Sequence, residues 1–374
     1  MIIDGIGRER FLRDYWQRKP VLLRQALPGF VDPVSPEELA GLACESHIEA
    51  RLVFTQGKKW ELKSGPFKTR DFSALPARNW TLLVQAVDQY VPGVRRLLRT
   101  VPFVPNWRVD DVMISYAVRN GGVGPHFDYY DVFLVQGQGS RIWKTGQHCT
   151  AADELRTDSG LKLLKRFDTR QEWELHSGDV LYVPPGVAHW GVSRDDSLCY
   201  SIGFRAPSAS DMLLGFSDEV AAGLSPDLRF ADPQRTQPLR TGEITANDLA
   251  QARRMLRQAL QDDDALVRWF GSQMTQPRNP ELIEPDSTRP TAASLLSLHP
   301  ASRLAWQLEG RQVRVFVDGE HTVLPASSKL RNILQQLAGG AAVSYRELGA
   351  TAAVRQWCRL QLQQGSLQLD MGDD

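Results

Sequence analysis

The chain has 374 residues, too many for one ordinary hydrophobic core, so two or three domains are expected. Hydrophobic residues make up 42% and charged residues 24%, a globular balance that excludes a wholly disordered or fibrous chain. Lys+Arg and Asp+Glu are both 44, and a net charge of zero excludes nucleic-acid binding through bulk positive charge, a local patch aside. In chain order, residues 8–18 read as a helix with Phe11, Leu12, Tyr15 and Trp16 on one face. Lys19-Pro20 ends it, and residues 21–23 read as a short buried strand. A second helix starts at Ser35-Pro36-Glu37-Glu38, where Ser35 caps, Pro36 fits the first turn and Glu38 completes a capping box. Residues 80–90 are expected to form a third helix.

From residue 111 to about 205 the pattern changes to short strands punctuated by Gly and Pro, at 113–118, 131–136, 141–145, 180–183 and 197–205. Many short strands with glycine turns argue for a β-sandwich or barrel. Three helices follow, at 210–221, 248–260 and 265–274, then a Pro-rich stretch at 276–290 that reads as a linker. The last part mixes helix and strand at 301–307, 313–317, 330–337, 344–348 and 352–363, an order that fits a small winged-helix-like unit. The longest apolar runs, such as 180–185, are strand-sized and far below the roughly 20 residues a membrane helix needs. No basic segment leads into a long apolar core at the N-terminus, so no secretory signal is expected and a cytoplasmic protein is. Cys44, Cys149, Cys199 and Cys358 are scattered and form no CxxC pair, which argues against a disulfide framework or a thiolate zinc site.

The chemistry concentrates in two segments. In Gly-Gly-Val-Gly-Pro-His-Phe-Asp, residues 121–128, an extended backbone projects His126 and Asp128 to one side, half of a divalent metal site. About sixty residues on, Ser-Gly-Asp-Val-Leu-Tyr-Val-Pro-Pro-Gly-Val-Ala-His-Trp reads as a turn, a buried strand, a second turn and His189 at the mouth of the next strand. Across a barrel of antiparallel strands these segments can be neighbours, and the product is a two-histidine, one-carboxylate facial triad suited to non-haem Fe(II) and oxygen chemistry. His47, His148, His176, His299 and His321 lack a carboxylate in a comparable setting and read as surface or structural.

The N-terminal F-L-x-x-Y-W-x-x-K-P-V-L-L-R, the G-V-G-P-H-x-D-x-Y-D-V-F block and the G-D-x-L-Y-V-P-P-G-x-x-H block resemble the JmjC-type 2-oxoglutarate oxygenases. More narrowly they resemble the bacterial ribosomal oxygenases, which hydroxylate an arginine, at C-3, of a large-subunit ribosomal protein. The resemblance spans residue 11 to about 216. It implies an α+β chain: a double-stranded β-helix (jelly-roll, JmjC-type cupin) catalytic domain with N-terminal helices at 1–207, a helical dimerisation segment at 208–276, the linker at 277–292 and a C-terminal winged-helix-like domain at 293–374. It also implies Fe(II) on His126, Asp128 and His189, with 2-oxoglutarate and O2 filling the remaining positions. The distal carboxylate of the cosubstrate needs a cation, for which Arg is the best planar partner. Arg141 matches the cosubstrate arginine and Ser115 the hydroxyl beside it, with Lys144 a nearby competitor. For an arginine substrate the resemblance points to Asp110, Tyr129 and Ser201 or Ile202, with Asp111, Tyr130 and Asp131 adjacent.

Other readings stand beside this one. A nucleic-acid-binding regulator rests on Arg303, Arg311, Arg314, Lys329 and Arg331, which are spaced by acids and apolar residues and form no basic stripe. A metal-binding cupin without oxygenase activity would take more histidines and no cosubstrate arginine. The same oxygenase chemistry on another protein residue or on RNA leaves the barrel motifs unchanged, because those motifs report the cosubstrate rather than the target.

Overall fold

The strands expected between residues 111 and 205 form two sheets that face each other. The computed structural model describes residues 1–57, 59–158, 160–233, 240–285, 289–348 and 351–369. It divides into two units, the first comprising Met1–Ala206, Ser297–Ala301 and Gln335–Ala342. The strands of the N-terminal 206 residues are β1 (Val21–Leu23), β2 (Ala50–Gln56), β3 (Lys59–Ser64), β4 (Trp80–Val84), β5 (Val109–Ala117), β6 (Val132–Gln136), β7 (Ser140–His148), β8 (Gln171–His176), β9 (Val180–Val183), β10 (Val187–Ser193) and β11 (Ser197–Phe204). A large antiparallel sheet runs β1-β9-β6-β11-β5-β4-β2-β3, and a small one runs β10-β7-β8. This is the jelly-roll arrangement that the resemblance to the JmjC-type oxygenases implied.

β6, β9 and β11 read as nearly continuous apolar runs because both of their faces are covered. Alternate residues sort into two cores. Phe133, Val135, Val180, Tyr182, Leu198, Tyr200, Ile202 and Phe204 face the N-terminal elements, where Phe11 is fully buried. Val132, Leu134, Leu181, Val183 and Cys199 face Trp143 and Leu175 of the small sheet.

The N-terminal helix α1 (Arg8–Asp14) is shorter than the expected 8–18. Gln17 turns to φ 56, its backbone N–H donates to the Tyr182 hydroxyl at 2.7 Å, and its side-chain amide reaches Asp131 at 3.0 Å. These tertiary bonds replace the last helical turn. The second helix, α2 (Pro36–Leu42), carries the capping box expected of Ser35 and Glu38. Two short helices, α3 (Thr69–Ser73) and α4 (Pro92–Arg95), complete this part.

The helix expected over 80–90 is instead the strand β4, followed by a single 3-10 turn at Val87–Gln89. All five β4 residues are buried, and the strand pairs with β2 on one side and β5 on the other. Its Trp-Thr-Leu-Leu-Val run satisfies either periodicity, and the two flanking ladders decide for strand.

The second unit comprises Pro207–Leu296, Ser302–Leu334 and Val343–Asp374. Its helices α5 (Ala209–Gly223), α6 (Ala246–Ala259) and α7 (Asp263–Thr275) lie where the apolar stripes placed them. Phe216 of α5 packs on Trp269 of α7 at 5.8 Å, while α6 has no buried residue. Further along, β12 (Leu295–Leu298), β16 (Val343–Ser344) and β17 (Leu367–Leu369) form one small sheet, and β13 (Leu304–Glu309), β14 (Gln312–Val317) and β15 (Glu320–Pro325) form a meander. Helices α8 (Ser328–Ala338), α9 (Tyr345–Leu348) and α10 (Ala352–Gln363) accompany them. Leu330, Ile333, Leu334, Leu337, Val354, Trp357, Cys358 and Leu362 are buried, as their helical spacing predicts. The expected linker at 277–292 includes residues 286–288, which lie outside the described residues. Among the described residues no helix is long and apolar enough to cross a membrane.

Candidate metal centre and cosubstrate pocket

The His126 segment is not the strand its sequence predicts. Residues 121–128 make a single bridge, His126 to His189, in which each backbone N–H donates to the other's carbonyl, at 3.1 and 2.8 Å. The glycines explain the departure. A Cβ on Gly122 would lie 2.2 Å from the Gly191 carbonyl oxygen, and Gly124 takes φ +102 with the Trp60 ring 2.9 Å from where its Cβ would be. Only glycine lets the chain press this closely against its neighbours. The bridge to β10 then does the work the strand was expected to do, bringing His126, Asp128 and His189 together.

Their ligand atoms all lie within 4.8 Å of one another, and among the described residues no other group of three such side chains does so. Asp128 Oδ2 is 3.6 Å from His189 Nε2 and 4.0 Å from His126 Nε2. His126 Nδ1 lies 2.9 Å from the Gly124 carbonyl and His189 Nδ1 lies 3.0 Å from that of Val187. A carbonyl only accepts, so each Nδ1 carries the proton and each Nε2 lone pair is free, directed at the shared point. His189 is 3% exposed, and burial beside His126 pushes its pKa down to about 4, which keeps the imidazole in its ligating, neutral form. Two neutral imidazoles and one carboxylate on one side of an ion fit a divalent transition metal with open positions opposite.

Arg141, on β7, is 5% exposed. Its Nε donates to Ser197 Oγ at 2.8 Å, its Nη1 to Ser115 Oγ at 2.7 Å, and its Nη2 to the carbonyls of Ser115 and Ser197 at 2.8 and 3.0 Å. Every partner is neutral, and among the described residues no carboxylate meets the guanidinium, so burial pushes its pKa down. A buried cation with no counter-charge is unfavourable unless an anion joins it. That uncompensated charge, on the inner face of the barrel that holds the triad, fits an acidic cosubstrate. Lys144 points the other way. It pairs with Glu172 at 3.3 Å and lies over the Trp190 ring.

The residues expected to hold the substrate are less uniform. Asp110, at the start of β5, already shares an oxygen with Arg205 Nε at 3.3 Å. Ser201 is buried on β11, in register with Met113 and Leu134, and Ile202 faces the opposite, outer core. Tyr129 is 60% exposed and packs edge-on against Phe127. Tyr130 instead hydrogen-bonds Asp128, and burial, followed by the carboxylates of Asp128, Asp111 and Asp110, raises its pKa. Asp111 is buried, accepting from the Gln85 amide and the Ala86 backbone. Asp131 is a structural hub that accepts from Tyr182 at 2.6 Å, Gln17 and Arg108. Ser197, whose Oγ and carbonyl both accept from Arg141, was not singled out from the sequence. Its one signal was position, two and four residues before Cys199 and Ser201 on the same strand face.

Comparisons with known proteins agree with this geometry. A family profile described as a JmjC domain matches residues 96–212, and one described as a ROXA-like winged helix matches 258–367. The chain is 38% identical over 281 residues to the ribosomal protein uL16 3-hydroxylase of Escherichia coli K12, covering 74% of this chain and 73% of that protein. It is 36% identical over 277 residues to a probable ribosomal oxygenase of Haemophilus influenzae, covering 71% and 67%. Among solved structures, the Escherichia coli ribosomal oxygenase YcfD in complex with cobalt and 2-oxoglutarate superposes with a TM-score of 0.84 at 31% identity, covering 98% of each chain.

Proposed function

The chain belongs to the JmjC-domain ribosomal oxygenases, and from that premise we propose that it hydroxylates an arginine, at C-3, of the large-subunit ribosomal protein uL16, using Fe(II), 2-oxoglutarate and O2. The observation that carries the reading is the pairing, inside one barrel, of a His-Asp-His cluster with a buried arginine that lacks a counter-charge. Bound Fe(II) would let O2 oxidise 2-oxoglutarate to succinate and CO2, one oxygen atom entering the succinate and the other the substrate C–H bond. His126 and His189 offer their Nε2 lone pairs because Nδ1 is engaged with backbone carbonyls. Asp128 adds the negative charge, and Tyr130 orients it through a hydrogen bond. Arg141, with Ser115 fixing its Nη1, takes the distal carboxylate.

The mouth is acidic where a cationic substrate would enter. Asp110, Asp111 and Asp128 all act on Tyr130, and Asp110 already accepts from one guanidinium, that of Arg205. Asp110 and Ser201 hold the substrate arginine and Tyr129 walls it, which accounts for an exposed aromatic beside the metal ligands. Residues 208–276 form a homodimer contact, supported by Leu213, Leu214, Leu249 and Leu256, each more than half exposed. Light scattering that finds only a monomer at micromolar concentration removes the dimer. The C-terminal winged helix helps hold the protein substrate and supplies no catalytic group, and the enzyme works in the cytoplasm, where ribosomes are. Mass spectrometry of uL16 from a strain lacking the gene tests the substrate. The expected result is loss of the mass of one oxygen from one arginine, restored by the wild-type gene, and an unmodified uL16 in the parent strain contradicts the assignment.

A further inference from the structure

Between the triad and Arg141 the barrel floor is a side chain that neither role uses. The register of β7 and β10 sets His189 opposite Thr145, Gly191 opposite Trp143, and Ser193 opposite Arg141. Directly paired residues of a ladder share a face, as do residues two apart on a strand. His189, Trp143 and Arg141 therefore line the same inner face, in successive rows about 7 Å apart, with Trp143 in the middle. The Trp143 and His189 ring centres are 6.0 Å apart. Across the ladder, a Cβ on Gly191 would lie 2.8 Å from the Trp143 ring, so the indole rests on bare backbone.

Trp143 is 7% exposed and packs with buried apolar side chains, including Leu134, Leu175 and Leu181. Its indole Nε1 is buried and has no acceptor among the described residues. Buried N–H groups in native proteins nearly always have a partner, so one without a protein acceptor calls for a water or a ligand oxygen. A molecule anchored at the triad at one end and at Arg141 at the other must cross the Trp143 row. A five-carbon dicarboxylate spans roughly 5 Å between its end carbons and carries acceptor oxygens at both ends.

We propose that Trp143 is a further cosubstrate-binding residue, whose indole N–H donates to an oxygen of 2-oxoglutarate while its ring walls the methylene segment. The inference rests on the oxygenase reading of the site. It also gives a reason for the absence of a side chain at Gly191, since any Cβ would displace the ring from the floor.

Calorimetric titration of 2-oxoglutarate into Mn(II)-loaded protein, which does not turn over, tests it. Two replacements remove the N–H: Trp143→Phe, and benzothienylalanine at the same position, which keeps the bicyclic ring and substitutes sulfur for the N–H. Both are expected to weaken 2-oxoglutarate about tenfold, with Mn(II) affinity within about twofold of wild type. Unchanged 2-oxoglutarate affinity in both variants overturns the proposal. So does weakening by Trp143→Phe alone, which would make ring volume the whole effect, and so does a parallel loss of Mn(II), which would make Trp143 a support for His189. Arg141→Ala separates the two levels. If it weakens cosubstrate binding while both Trp143 variants leave it unchanged, the oxygenase reading stands and this inference falls; if none of the three changes binding, the reading of the pocket itself falls.

Discussion

The two faces of the large sheet are built from the same strands yet obey different rules. On the outer face β6, β9 and β11 present Phe133, Val135, Tyr182, Tyr200, Ile202 and Phe204, and the polar atoms there are the tyrosine hydroxyls, held by Asp131 and Asp32. On the inner face, one residue along each strand, apolar side chains alternate with Ser115, Gln136, Ser197 and Ser201, and across from them stand Arg141 and His189. The outer face is a core that holds the barrel to the N-terminal segment. The inner face gives up part of that apolar packing to keep polar groups buried and aimed, which is where a binding site differs from a core. A one-residue slip in register would exchange the two sets, so register and function are the same constraint here.

The account predicts that substitutions on the two faces separate cleanly. His126→Ala, Asp128→Ala and His189→Ala each remove one of three ligands and should lower turnover at least about a thousandfold while leaving the circular-dichroism spectrum and unfolding midpoint near wild type. Phe133→Ala is the outer-face counterpart. It should cost about 3–5 kcal/mol of stability by urea unfolding, with metal affinity retained in the folded protein. If an inner-face ligand variant unfolds the chain, or Phe133→Ala spares stability and abolishes metal binding, the division between faces is wrong. Arg141→Ala should raise the 2-oxoglutarate dissociation constant about 10–100-fold, while Lys144→Ala, which removes a lysine paired with Glu172, should leave it within about twofold.

The smallest effect is on pH. His189 folds as the neutral form with its pKa pushed to about 4 from 6.5, so the unfolded chain takes up the proton first. The stability of the metal-free protein is full above pH 6.5 and is lost as pH falls from there towards 4, at about 1 kcal/mol over the first unit. Denaturant titrations at stepped pH check the slope, and His189→Gln should flatten it.

Much of this was legible from residue types alone. The triad was readable because both halves sit in short segments where Gly, Pro and ligand residues are close together, and Ser35 and Glu38 declared their helix start for the same local reason. Arg141 and Lys144 could not be separated in sequence because they lie three residues apart on one strand. Alternation decides between them, and the phase of the strand is fixed only by its partners. The β4 segment was misread because Trp-Thr-Leu-Leu-Val fits a helix as well as a strand until β2 and β5 flank it. The weakly apolar edge strands β3 and β8 were missed because few of their residues are buried. The 121–128 segment brings its two ligands to one side as expected but not as a strand: Gly122 and Gly124 serve close approach to Gly191 and Trp60. Tyr130's bond to Asp128 and the orphaned N–H of Trp143 exist only once the barrel is closed.

The central claim is tested most directly by reconstitution. Purified protein with Fe(II), 2-oxoglutarate and O2 is incubated with unmodified uL16, and the product is read by tandem mass spectrometry alongside succinate release. The account predicts one added oxygen on a single arginine, formed in step with succinate and absent with the Asp128→Ala protein. Succinate without modified uL16 would contradict the substrate, and modified uL16 formed equally well by Asp128→Ala would contradict the site.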